Sequence, residues 1–153
     1  MLHDVPCTLV EVIKKLMNHE VPMIPDIYMP SCDVRIVAEA HIKAMTLPEA
    51  NNQRHIIVTT TECNSFRDWA LILDAEFRNK RYSIPTMVAP NFMIKIFSIF
   101  DKQTQLICPM LGIKSSFDNS RLLDVLKIEQ ISIENTVTDM AYSLIEKGIV
   151  KKK

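Results

Sequence analysis

Apolar positions along this chain fall into blocks with helical spacing, and prolines separate the blocks. Leu9, Val12, Ile13, Leu16 and Met17 form the first, opened by Thr8 and Glu11 at the spacing of a capping box. The pattern predicts a helix from Thr8 that ends before Pro22, with Pro25 and Pro30 keeping the next stretch extended. Cys32-Asp33-Val34-Arg35 reads as a short strand running into a helix over Ile36–Met45, which Thr46-Leu47-Pro48 stops. Arg54–Thr60 holds His55-Ile56-Ile57-Val58, an apolar run without alternation. Such a run predicts a strand covered on both faces, as in a parallel sheet.

The second half is mostly helical in pattern. Ser65 and Asp68 cap a helix whose Phe66, Trp69, Leu73 and Phe77 form one stripe. A proline-rich connector from Ile84 to Pro90 leads to an apolar helix over Phe92–Phe100. Asp118 or Asn119 starts a short helix through Leu126. Ser132–Lys147 carries Ile133, Val137, Met140, Ala141 and Leu144 on one face, and Gly148 stands where a helix end wants positive φ. Lys151–Lys153 is a solvated tail. Two short strands make no independent sheet, so the pattern reads as the second half of an α/β protein.

Composition narrows the chemistry. The chain has 153 residues, and its 18 basic and 18 acidic side chains cancel. Neither a nucleic acid nor an acidic lipid surface is an expected partner. There are two glycines, Gly112 and Gly148, where an average chain of this length carries roughly eleven. Glycines 36 positions apart cannot write a dinucleotide turn, a P-loop or a nucleophile elbow. Cys7, Cys32, Cys63 and Cys108 form no C-x-x-C pair, and Met1-Leu2-His3-Asp4 lacks the blocks of a signal peptide. Free thiols and a cytoplasmic location are the expectation. No apolar stretch is long enough for a membrane span. His3, His19, His41 and His55 form no metal-binding pair, so no metal site is expected.

Asp33-Val34-Arg35-Ile36-Val37-Ala38-Glu39-Ala40-His41-Ile42-Lys43-Ala44-Met45 resembles the D-V-R-D-V-A-x-A-H-x-x-A-M segment of extended short-chain dehydrogenases/reductases. The nearest branch is similar to the dihydroflavonol-4-reductase-like enzymes of the NAD-dependent epimerase-dehydratase family. Further landmarks follow in the family's order: Pro48-Glu49-Ala50, Arg54-His55-Ile56-Ile57, Ser65-Phe66-Arg67-Asp68 and Tyr82-Ser83-Ile84-Pro85-Thr86. Leu111-Gly112, Asp118-Asn119-Ser120-Arg121 and Ser143–Gly148 continue the series.

The resemblance implies a mostly helical C-terminal part of a Rossmann-type reductase, residues 1–153 forming one substrate-binding portion with its last sheet strand near 54–60. In that family the N-terminal half carries the glycine-rich turn for NADP or NAD and the catalytic Ser, Tyr and Lys. Four residues after Tyr28, Tyr82 and Tyr142 stand Cys32, Thr86 and Glu146, so no Y-x-x-x-K occurs. The expectation is therefore a chain that binds neither NADP nor NAD alone, has no catalytic residues of its own, and is inactive alone. In a full-length context it would serve the reduction of a small carbonyl or oxidation of an alcohol, with sterol oxidation or sugar epimerisation nearby. The alternative is a stand-alone, non-catalytic binding or regulatory module, self-associating through an exposed apolar face.

By the same resemblance, Tyr28, Met29 and Pro30 line the substrate pocket, although the stretch also reads as a proline-stiffened connector. Phe92–Phe100 reads either as a wall over the substrate or as a core-covering helix. Two departures stand out. Ile36 replaces the second acid of D-V-R-D, and Lys127 occupies a place where the family has glycine in a left-handed turn.

Overall fold

The computed structural model describes residues 8–151. Cys7, the Thr8 side chain and residues 152–153 lie outside the described residues. The elements in chain order are α1 (Thr8–Met17), β1 (Tyr28–Met29), α2 (Val34–Thr46), β2 (Asn64–Ser65), α3 (Phe66–Phe77) and α4 (Asn91–Phe97). They continue with α5 (Lys102–Ile107), α6 (Ser120–Asp124) and α7 (Ile133–Glu146). The chain read from sequence as one portion divides into two compact units. Residues 8–28, 65–113 and 137–151 form one; Met29–Asn64 with Lys114–Thr136 form the other. β1 and β2 pair as a two-stranded sheet.

In the first unit α1 buries Val10, Ile13, Leu16 and Met17, so the stripe turns on Val10 rather than Val12. α3 buries Phe66, Trp69, Leu73 and Phe77, as its pattern predicts. Its capping box is complete: the Asp68 amide donates to Ser65 Oγ at 3.1 Å, and the Ser65 amide donates to Asp68 Oδ2 at 2.8 Å. The two proline-rich stretches are extended and touch at single bridges. The Ile24 amide donates to the Met87 carbonyl and the Ala89 amide to the Ile24 carbonyl, each at 2.8 Å. α7 buries Val137, Ala141 and Leu144, and Gly148 closes its end at φ 68°.

The helix expected over Phe92–Phe100 is shorter than predicted, ending at Phe97, and none of its residues is buried. Its Met93 and Ile94 are half-buried, whereas Phe92, Ile96 and Phe97 face outward.

In the second unit Ile36 and Ala40 of α2 pack with Ala50, Leu122, Leu126 and Ile128, and Ile57 is half-buried against them. Two strand expectations need correction here. Cys32–Arg35 is not a strand, because Asp33 is the N-cap and α2 already starts at Val34. Arg54–Thr60 forms no strand either. A strand exists through its ladder, and among the described residues none runs along this segment. Side chains take two of its carbonyls instead: Asn119 Nδ2 donates to Val58 and Arg121 Nη1 to Arg54, both at 3.2 Å. Val58 is buried, whereas Ile56 stays 44% exposed.

Candidate functional site

The pocket candidates Tyr28, Met29 and Pro30 sit where β1 ends and the chain turns toward α2. Pairing with β2 fixes the first two, both half-buried, while Pro30 is exposed.

Immediately downstream, Asp33 is the best-ordered polar group of the second unit. Its carboxylate accepts from the Arg35 amide at 2.9 Å, from Arg35 Nε at 2.8 Å and from Arg35 Nη2 at 2.7 Å. The Thr136 hydroxyl donates to it at 3.0 Å from 103 positions away. The Arg35 guanidinium, first among these donors, holds the Asp33 carboxyl down at about 2. This network joins α2 to the start of α7 within one unit. The missing second acid at Ile36 is thereby explained. Asp33 supplies the cap, and Ile36 is 2% exposed in the core.

Two clefts lie in the same unit. One of about 330 Å³ is lined by Leu47, Glu49, Asp124, Val125 and Lys127. The other, of about 200 Å³, is lined by Ala40, His41, Ala44, His55, Ile57 and Leu126. Neither includes Tyr28, Met29 or Pro30. His41 Nδ1 donates to the Val37 carbonyl at 2.7 Å, which fixes its tautomer. Both ring nitrogens of His55 are buried without a partner. Among the described residues no three His, Cys, Asp or Glu side chains lie together as a metal site. Burial pushes the Cys32 thiol up, away from the thiolate form.

A dinucleotide needs backbone amides opened by closely spaced glycines at a helix start. A Cβ at Gly112, whose φ is +72°, would meet Asp26 Oδ2 at 3.7 Å and Asn91 Nδ2 at 3.9 Å, while one at Gly148 would meet nothing within 4 Å. Neither glycine opens a helix start. Asn119 and Thr136 are the positions that sequence reasoning left without a role. Asn119 lay within a matched landmark, but nothing in the sequence tied Thr136 to Asp33.

No family model matches the chain, and no curated protein does. Solved structures do. Yeast methylglyoxal/isovaleraldehyde reductase Gre2 complexed with NADPH superposes with a TM-score of 0.63 at 22% identity, over 92% of this chain and 40% of that one. Gre2 from Candida albicans with NADPH gives 0.60 at 23%, over 95% and 38%. A reductase engineered to attenuate substrate inhibition in asymmetric catalysis gives 0.61 at 16%, over 95% and 38%. The chain has part of the fold of those structures and spans about 40% of their length. The expected mostly helical part of a Rossmann-type α/β fold is the one observed. Among the described residues no helix is long and apolar enough to cross a membrane.

Proposed function

We propose that this chain is the substrate-binding portion of an NADP(H)- or NAD(H)-dependent oxidoreductase acting on a small carbonyl or alcohol. The observation that carries the reading is the superposition on NADPH-bound reductases over nearly all of this chain but only part of theirs. Hydride transfer from a nicotinamide needs a phosphate cradle, a proton donor and an oriented substrate. The first is absent from the described residues, and no Y-x-x-x-K occurs in the sequence. Orienting the substrate is the role left, with Tyr28, Met29 and Pro30 as its pocket residues and the cytosol as its compartment. The finer assignment, a dihydroflavonol-4-reductase-like activity, rests on the D-V-R-x-V-A-x-A-H segment and the order of the landmarks after it.

The test is NADPH oxidation with methylglyoxal or isovaleraldehyde, the aldehydes named for the yeast enzyme. The purified chain is expected to show none alone. A cofactor-binding half of a related reductase, supplied as a separate chain, is expected to restore turnover that Tyr28→Ala lowers about tenfold or more. Turnover by the isolated chain would overturn the reading. Failure of complementation, together with an intact fold, would favour the stand-alone binding module instead.

A further inference from the structure

The first unit carries an apolar surface that its own core does not use. Phe92, Ile96 and Ile99 follow one another at helical spacing along α4 and the turn after it, with Phe97 and Phe100 beside them. α5 packs on α4 and adds Leu106. These six side chains are between 54% and 85% exposed.

From Asn91 to Ile113 the charged residues are Lys95, Asp101 and Lys102. Asp101 is engaged in capping α5, accepting from the Thr104 amide at 2.8 Å. The surface is therefore rich in aromatic and aliphatic groups and poor in charge, which is the composition of the centre of a protein interface.

We infer that this face is the contact between two copies of the chain. Area decides for a second copy. At about 200 Å² for a whole large apolar side chain, the six together offer on the order of 800 Å². That exceeds the roughly 300–600 Å² of the largest patch on a typical monomer and equals what one partner contributes to a standard interface. A two-fold pairing sets the same patch against itself, so no separate complementary surface is needed. The zero formal net charge adds no long-range repulsion between copies. This inference is independent of the reductase reading, since it uses only α4, α5 and their exposure.

The experiment is sedimentation equilibrium on the full chain across a wide concentration range. Wild type is expected to move from 17.6 kDa towards twice that mass. Phe100→Asp and, separately, Leu106→Asp are expected to weaken the dimer at least about 30-fold, as loss of an interface anchor does. Both residues are exposed, so circular dichroism should show wild-type helix content. Met45→Asp, on the exposed side of α2, should leave the dimer unchanged. The inference is overturned by a wild-type chain that stays at 17.6 kDa. A dimer indifferent to both variants, or open-ended association without a defined mass, overturns it equally. So does uptake on neutral lipid vesicles in place of dimerisation, which would assign the face to a membrane surface.

Discussion

Asp33 shows how one side chain can fix a junction. It is 3% exposed, caps α2, and is held ionised by Arg35 and Thr136. An acid whose folded pKa lies below its unfolded value, near 3.9, stabilises above that value and loses the contribution as pH falls. For Asp33 the loss should run from about pH 4 to about pH 2, where its folded pKa sits. Asp33→Asn should therefore cost about 1–2 kcal/mol in urea unfolding at neutral pH. The gap should narrow between pH 4 and pH 2; a constant gap would show that the charge contributes nothing. Lys127 makes the opposite case. Its φ of 49° lies in the left-handed region, where a side chain costs roughly 1 kcal/mol. Lys127→Gly should raise stability by about 0.5–1 kcal/mol, read from the denaturation midpoint, because only its carbonyl is used, accepting from Lys43 Nζ at 2.9 Å. The left-handed conformation of the family's glycine is kept at this position.

Some helix ends follow from neighbouring residues, and those were legible in the sequence. Ser65 and Asp68 close the capping box of α3 as their spacing predicts, and Ser65→Ala should cost about 1 kcal/mol by thermal unfolding. No change on that substitution would mean that the Asp68 contacts alone hold the helix start. Gly148 takes its positive φ for equally local reasons. Strands were not legible. Cys32–Arg35 has strand-like composition, yet the short side chain of Asp33 reaches the Arg35 amide, and that cap starts a helix two residues earlier than the pattern placed it. Arg54–Thr60 has the β-branched run of a buried strand, but a ladder needs a second segment at the right distance. Asn119 and Arg121 meet its carbonyls in place of one.

For the chain as a whole, stability rests on separate sets of buried side chains in the two units. Leu73 in the first and Leu122 in the second are both fully buried. Leu73→Ala and Leu122→Ala should each cost about 2–5 kcal/mol by urea denaturation, the range set by how far each site collapses. An effect below about 1 kcal/mol at either position would mean that its surroundings refill the cavity.

The sequence by itself determined the capping box of α3 and the positive φ at Gly148, and it marked Lys127 as a left-handed position. Each depends on residue type within a few positions, where sterics and hydrogen-bond reach act directly. The order of the family landmarks also pointed to the reductase-like fold that superposition shows. Only tertiary structure decided that Thr136 completes the Asp33 network, that residues 54–60 lack a ladder, and that α4 turns its phenylalanines outward. Those outcomes depend on which distant segment arrives beside each group, and the local sequence does not record that.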